Sequence, residues 1–283
     1  MSSADYTLGQ TFLSVENVCV SYAKPVLKNV NAVIQNIVTD TTRGQVVGVL
    51  GPSGIGKTQL FRVISGLNKP NSGKVYINNC YCGRADCTKD KCEVRAGDVG
   101  VVAQNYPLFY HRTIKSNLML AAMQIEKTKE AALQKIMAYL SEFGLADKLL
   151  SYPAELSGGQ RQRVAIIQQI LCSQHYILMD EPFSGLDPIN LEKTVNLIQK
   201  VASLDYRNTV IVVTHDVTAA CAVADHIWML GRDRTTSGDP IDGSYIVKNY
   251  NLIDLDLAWK PGIITEPEFM AFVAKLKQEF KTL

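Results

Sequence analysis

A glycine-rich octapeptide in the first quarter of the chain has the residue types needed to hold a phosphate group. It follows an apolar run at residues 45–50 that has the length of a strand. Glycines let the backbone curl until several N–H groups point at one anion, and a following helix presents its positive end to the same anion. Within it, Lys57 would neutralise the β- and γ-phosphates and Thr58 would offer a hydroxyl to Mg²⁺. The octapeptide consists of Gly51, Pro52, Ser53, Gly54, Ile55, Gly56, Lys57 and Thr58.

Two adjacent carboxylates, Asp180 and Glu181, follow a second apolar run at residues 175–179. Such a pair at a strand end is more often a solvated turn, but the buried run and the phosphate loop upstream favour chemistry. Asp180 is suited to hold a water molecule bound to Mg²⁺, the usual companion of a phosphate loop. Glu181 is the candidate to polarise an attacking water.

Apolar runs of strand length alternate with helical patterns along the chain, as expected of an α/β domain around a largely parallel sheet. The clearest buried strands are 45–50, 175–179 and 209–213. Residues 12–38 differ, because their alternation comes in short pieces around a turn at 23–25. This segment predicts antiparallel strands packed on one edge of the core.

A mainly helical segment interrupts the α/β pattern. Apolar positions between Ile125 and Phe143 recur at spacings of three and four, which predicts an amphipathic helix, and Gly144 would end it. The chain therefore predicts a single domain in which a helical subdomain, residues 105–172, is inserted into a core with a β subdomain. The core would comprise residues 12–104 and 173–243.

The tail, residues 244–283, predicts a final amphipathic helix. Thr265 and Glu268 have the spacing of a capping box at its start. The apolar stripe is most simply explained as covering the domain's own core, with a partner-binding helix as the alternative. The stripe consists of Phe269, Phe272, Val273, Leu276 and Phe280.

The bulk composition argues against several functions. The 283 residues include 29 basic and 27 acidic side chains. This balance does not favour a dedicated electrostatic binding surface for nucleic acid or anionic lipid. No apolar run approaches the roughly 18 residues of a membrane-spanning helix, and the polar N-terminus lacks the features of a secretory signal. These features predict a cytoplasmic protein.

Residues 156–163, Leu-Ser-Gly-Gly-Gln-Arg-Gln-Arg, match the signature motif of ABC ATPases, which is far more specific than a phosphate loop. The chain resembles this family over about residues 12–235. The resemblance implies an α/β fold with a P-loop NTPase core of the ABC type, an antiparallel β subdomain and an inserted helical subdomain. The family motifs occur in the expected order, at Tyr22, Gly51 to Thr58, Gln104, Leu156 to Arg163, Asp180 and Glu181, Ser184 to Asp187, and His215.

The resemblance also implies a role for each matching residue in binding and hydrolysing ATP. Tyr22 would stack on adenine, Gln104 would reach the magnesium ion and the attacking water, and His215 would sense the γ-phosphate. Glu181, His215 and Gln104 form the implied catalytic set. Asp180 and Gln59 join the nucleotide-binding residues, although many relatives have a second hydroxyl residue at the position of Gln59.

The signature residues would act on a second subunit. Ser157, Gly158, Gly159 and Gln160 precede a helical pattern and so form another helix N-terminus able to bind an anion. The resemblance implies that they contact the γ-phosphate held by the other subunit and that Asp187 couples the two sites. In a twofold dimer each chain would complete the site of the other.

Two classes of function share this ATPase. One is the energising subunit of a membrane transporter, and the other is a soluble ABC protein acting on nucleic acid or the ribosome. Residues 105–110 resemble the family region that receives a coupling helix from the membrane subunit, although their aromatic residues could equally belong to the core. The resemblance favours an importer of a small solute, with permease partners, no nucleic acid, and a position on the cytoplasmic face of the inner membrane.

Four cysteines, Cys80, Cys82, Cys87 and Cys92, are clustered between the predicted strands. Four thiolates could form a tetrahedral zinc site, but the spacing lacks paired C-x₂-C motifs. Free thiols in an exposed loop, or a redox-responsive pair, are the alternatives.

Overall fold

The computed structural model describes residues 6–39, 43–78, 87, 91–173, 175–260, 262–281 and 283. Within these residues the strands are β1 (Thr7–Ser21), β2 (Pro25–Val38), β3 (Gln45–Leu50), β4 (Ser72–Ile77), β5 (Cys92–Glu93), β6 (Gly100–Val102), β7 (Tyr176–Asp180), β8 (Thr209–Thr214), β9 (His226–Gly231) and β10 (Tyr245–Asn251). The α-helices are α1 (Lys57–Ile64), α2 (Ile114–Ala122), α3 (Lys129–Glu142), α4 (Gly158–Cys172), α5 (Pro188–Ser203), α6 (Val217–Val223) and α7 (Pro267–Phe280).

The larger sheet positions the phosphate loop. Its strand order is β10-β9-β3-β8-β7-β6, and β3, β6, β7, β8 and β9 are parallel. Every residue of β3 is buried, as its continuous apolar run predicts. Because parallel strands end at the same edge, the segments that follow β3, β6, β7 and β8 lie side by side. The predicted α/β core around a largely parallel sheet is confirmed.

The smaller sheet is antiparallel, with the order β2-β1-β4-β5. Its first two strands are 15 and 14 residues long, whereas the sequence predicts short pieces. Several register shifts, among them those between Val15 and Val18 and between Val18 and Val20, interrupt the β1–β2 pairing. Such irregularities break the alternation of buried and exposed residues, so a long strand reads as several short ones.

The core lies on both faces of the larger sheet. Val46 and Leu50 of β3 pack toward the helices, while Val47 and Val49 pack toward the antiparallel sheet. This division follows from the alternation of side chains along a strand. Since β3 contributes to both clusters, the phosphate loop begins at a strand that is buried on both faces.

Helices α2, α3 and α4 follow the aromatic segment after β6. The helix predicted from Ile125 begins at Lys129, because the Thr128 side chain accepts a hydrogen bond from the N–H of Ala131 and caps it. Gly144 has a φ of 66°, the left-handed conformation that commonly ends a helix. Within the described part of the chain, no helix has both the length and the apolar character that a membrane crossing requires.

The tail departs from the sequence analysis in two respects. Its first part forms β10, which pairs antiparallel with β9 and extends the core sheet. The predicted capping box at Thr265 and Glu268 is wrong: α7 begins at Pro267, and the Thr265 hydroxyl instead donates to the carbonyl of Gly262. The apolar stripe nevertheless packs on the domain's own core, since Phe269, Val273 and Leu276 are all buried there.

A buried carboxylate ties the tail to the centre of the sheet. Asp225 is fully enclosed, accepts a hydrogen bond of 2.7 Å from the N–H of Val46, and accepts another from Trp259 Nε1. Arg43 Nη2 lies 3.6 Å from Asp225 Oδ1, and its guanidinium stacks on the Trp259 ring. Burial raises the pKa of Asp225 to about 6, and the charge of Arg43 opposes that shift. One side chain thereby connects the start of β3, the start of β9 and the tail.

Replacing Asp225 by alanine should lower the free energy of unfolding by about 3–5 kcal/mol, because the half-buried Arg43 would lose its counter-charge. Urea denaturation provides the measurement. Asp242 supplies the control, since it forms an exposed pair with Lys24 at 3.4 Å and its removal should cost less than about 1 kcal/mol. Equal losses in both variants would contradict the anchoring role of Asp225.

Candidate functional site

The predicted phosphate loop lies between β3 and α1. Gly54 and Gly56 have φ angles of 76° and 106°, a region that side chains disfavour. A Cβ on Gly56 would also lie 3.1 Å from the side chain of Leu27. Gly56 has no side chain with which to cap α1, so the first N–H groups of the helix remain available to an anion.

Lys57 curls back over this loop. Its Nζ donates to the carbonyls of Gly51, at 2.6 Å, and Pro52, at 3.2 Å, and only 9% of the residue is exposed. Burial lowers the pKa of Lys57, while the nearby carboxylates of Glu181 and Asp180 oppose the shift. The ammonium group is therefore held beside the loop, where a bound phosphate would add a counter-charge.

The acidic pair lies at the end of β7. Burial raises the pKa of Asp180, as does the charge of Glu181, while Lys57 lowers it. Glu181 has a φ of 48°, and its N–H donates to the carbonyl of Val213 on β8 at 2.8 Å. This unusual backbone conformation turns Glu181 toward the end of the neighbouring strand.

Two adjacent residues hold the Glu181 carboxylate, the last residue of β8 and the one that follows it. The Thr214 hydroxyl donates to Oε2 at 2.9 Å, and His215 Nδ1 lies 2.8 Å from Oε1. The sequence motifs predict a role for His215 but none for Thr214. The available signal was a hydroxyl residue at the end of a buried strand, directly before His215.

Gln104 and the signature residues line a groove of about 860 Å³ that Glu181 also borders. Gln104 is exposed in the turn after β6. Ser157 and Gln160 form a capping box at the start of α4, in which the Ser157 N–H donates to Gln160 Oε1 at 2.8 Å. Among the described residues, the lining of this groove includes none from the phosphate loop. The two helix N-termini thus face different surfaces of one chain.

Asp187 and Tyr22 occupy the margins of this arrangement. Asp187 caps α5 by accepting hydrogen bonds of 3.0 Å from the N–H groups of Ile189 and Asn190. Hydrogen bonds lower the pKa of Asp187, and the largest effect comes from the backbone N–H of Asn190. Tyr22 follows β1, is 63% exposed, and donates its hydroxyl hydrogen bond to Gln59 of α1 at 2.9 Å.

Comparison with known proteins identifies the family. The family model for ABC transporters matches residues 34–184. The probable ABC transporter ATP-binding protein PEB1C of Campylobacter jejuni is 38% identical over 208 residues, 71% of this chain and 84% of that protein. The arginine transport ATP-binding protein ArgV of Corynebacterium glutamicum is 34% identical over 229 residues, 78% of this chain and 87% of that protein. This chain belongs to the ABC transporter family.

A solved structure agrees with that assignment. The ATP-binding cassette MJ0796, in a dimeric post-hydrolysis state bound to ADP and Pi, has a TM-score of 0.62 and 26% identity over 85% of this chain and 98% of that chain. The chain is therefore an ABC ATPase, the ATP-binding subunit that energises a membrane transporter. The α/β fold of the ABC type expected from the signature motif is confirmed.

The aromatic segment of this ABC subunit, residues 105–110, is partly core and partly surface. Leu108 is buried, whereas Phe109 and Tyr110 are 49% and 58% exposed. Asn117 of α2 holds the segment, because its Oδ1 accepts from the N–H of Phe109 at 2.8 Å and its Nδ2 donates to the Phe109 carbonyl at 3.1 Å. Two aromatic side chains are thus presented to solvent on a fixed backbone.

The zinc site predicted in this subunit is not supported. Cys80 and Cys82 lie outside the described residues. Cys87 and Cys92 lie side by side, with Cα atoms 4.9 Å apart. The described residues contain no group of three or more metal-binding side chains.

The contact between Thr214 and Glu181 should matter for hydrolysis by this ABC ATPase. Thr214→Val removes a hydrogen bond to a charged group, so kcat should fall about tenfold while the KM for ATP changes little. Thr214→Ser keeps the hydroxyl and should keep the rate. Steady-state ATPase kinetics measure both parameters.

Thr209→Val is the matched control for this experiment. Thr209 is a buried threonine of the same strand, and its hydroxyl has no hydrogen-bond partner within the described residues. Its loss should leave kcat unchanged. An equal fall in kcat for both valine variants would show that Thr214 acts only through the packing of β8.

Proposed function

We propose that this chain binds MgATP at the phosphate loop and powers an importer of a polar amino acid or a related small solute. The main support for the nucleotide site is that Lys57, Asp180 and Glu181 lie close together at one edge of the sheet. The backbone N–H groups of residues 51–58 would hold the phosphates, and Tyr22 would stack on adenine. Gln59 lies between these two regions.

The residues present fit a magnesium ion. Thr58 is exposed at the start of α1. The pKa of Asp180 is raised, because burial and the charge of Glu181 disfavour its carboxylate form. A cation would relieve that unfavourable charge, and hydroxyl and carboxylate oxygens are the donors that Mg²⁺ prefers. Thr58, Asp180 and Gln104 would hold the ion directly or through water. Bound there, magnesium would neutralise charge on the β- and γ-phosphates.

Glu181 would act on the attacking water. Its Oε2 is held by Thr214 and its Oε1 by His215. When His215 turns to the γ-phosphate, Oε1 becomes able to accept a hydrogen bond from water and to orient its attack. Until a nucleotide is bound, the contact with His215 would therefore occupy Oε1 of Glu181, so that this oxygen is not available to water.

A second copy of the chain would complete each site. Ser157, Gly158 and Gly159 lie at the N-terminus of α4, outside the phosphate-loop surface of their own chain. In a head-to-tail homodimer they would meet the γ-phosphate bound by the partner, with Gln160 holding the capping box and Asp187 at the junction. The dimeric state of the similar cassette bound to ADP and Pi supports this arrangement.

Permease subunits would bind the exposed aromatic residues Phe109 and Tyr110. Aromatic side chains on a fixed backbone lose little entropy on binding and often form the centre of an interface. The ArgV relative is named for arginine transport, which supports the substrate class. The chain would then lie on the cytoplasmic face of the inner membrane. No observation favours a soluble factor that acts on nucleic acid or the ribosome.

The permease proposal predicts recovery of a hydrophobic partner when the chain is purified from gently solubilised membranes. Replacing Phe109 and Tyr110 by serine should reduce that recovery about tenfold or more, as expected for hot-spot residues, without loss of ATP binding. Leu67→Ser is the control, because Leu67 is also exposed, at 57%, but follows α1. Exclusive recovery with ribosomes or DNA, or unchanged recovery of the double variant, would overturn the proposal.

A further inference from the structure

Three side chains from separate segments meet beside the phosphate loop. Tyr22 lies in the turn between β1 and β2, Gln59 in the first turn of α1, and Asn68 in the loop after α1. The Tyr22 hydroxyl donates to Gln59 Oε1 at 2.9 Å and accepts from Asn68 Nδ2 at 3.2 Å. Asn68 Nδ2 also lies 3.5 Å from Gln59 Oε1. The hydroxyl therefore uses its donor and one acceptor position at once.

This contact holds the end of a tyrosine whose ring is open to solvent. Tyr22 is one of the most exposed large apolar residues of the chain, and an exposed side chain ordinarily exchanges between rotamers. Two hydrogen bonds at the hydroxyl restrict that exchange while most of the residue stays exposed. A ring held in this way loses less conformational freedom when a planar group stacks on it.

The backbone on each side of the contact is also fixed. The N–H of Ser21 donates to Asn71 Oδ1 at 2.7 Å, and the N–H of Asn68 donates to the Arg62 carbonyl of α1 at 3.0 Å. The N–H of Gln59 donates to the Gly56 carbonyl of the phosphate loop at 3.0 Å. Any displacement of the loop would consequently move the residue that holds Tyr22.

We infer that Gln59 and Asn68 are positioning residues that orient Tyr22 for stacking on the base of the nucleotide. Gln59 follows Thr58 directly, in the first turn of α1. In this chain its amide oxygen is engaged by Tyr22, so Gln59 serves the base half of the ligand. The inference rests on the stacking role proposed for Tyr22.

The experiment compares ATP with inorganic tripolyphosphate, which has the phosphates but no base. Gln59→Leu and Asn68→Leu should each weaken ATP binding about fivefold, the usual effect of one hydrogen bond, and Tyr22→Phe, which removes both contacts, by at least as much. None should change the affinity for tripolyphosphate by as much as twofold. The Kd values are measured by equilibrium competition, and thermal unfolding confirms that each variant is folded. Asn68 lies outside α1, so its effect reports on Tyr22 without altering the phosphate-loop helix.

The double variant Tyr22→Phe with Gln59→Leu should bind ATP no more weakly than Tyr22→Phe alone, because loss of the hydroxyl already removes its contact with Gln59. Additive losses, or an equal loss of tripolyphosphate affinity in Gln59→Leu, would overturn the inference and assign Gln59 to the phosphates. Tyr22→Ala tests the stacking role separately from the positioning role. If it leaves ATP affinity intact, the stacking role fails and the inference fails with it. If only Tyr22→Ala weakens ATP binding, stacking stands and the positioning role fails.

Discussion

The parallel pairing of β3 with β8, and of β8 with β7, positions most of the residues that would act on a phosphate. Leu50 pairs with Thr214, and Val213 pairs with Asp180, so the phosphate loop, His215 and Glu181 begin at one level of the sheet. A shift of one residue in either pairing would turn the side chains to the opposite face. Burial of both faces of β3 in two hydrophobic clusters opposes such a shift. The charges at this edge depend on the same register, because Lys57, Asp180 and Glu181 influence one another only at short range.

The second constraint is that the chain has two helix N-termini suited to anions and they face different surfaces. The N-terminus of α1 follows the phosphate loop, whereas that of α4 borders the groove lined by Gln104 and Glu181. A helix N-terminus acts only within its first turn. Use of both ends on one phosphate would therefore require a second molecule, and twofold symmetry would make the two resulting sites equivalent. Hydrolysis and association would then be one event, which a transporter can convert into motion of its membrane subunits.

The features that could be predicted from the sequence are those whose residues are adjacent in it. The phosphate loop, the acidic end of β7 and the signature each combine a strand or helix with fixed neighbouring residues, and local spacing reveals them. Contacts between residues that are distant in the sequence could not be predicted in this way. Thr214 and Glu181 are 33 residues apart, and Tyr22 and Gln59 are 37 apart, so both pairs depend on tertiary register. Strand β10 was missed because it is a half-exposed edge strand with polar residues. At the cysteine cluster, spacing alone does not distinguish a metal site from a paired disulfide.

The proposed ATP-dependent dimer joins two copies of this chain through the phosphate loop of one and the signature of the other. It is tested most directly by the mass of the Glu181→Gln protein in solution with saturating ATP and magnesium, measured by light scattering. Loss of the carboxylate should halt hydrolysis and leave a stable dimer. Adding Gly158→Asp, which places a negative charge at the N-terminus of α4, should return the protein to the monomer. A Glu181→Gln protein that remains monomeric, or a dimer that forms equally well with Gly158→Asp, would contradict ATP-dependent dimerisation through the signature residues.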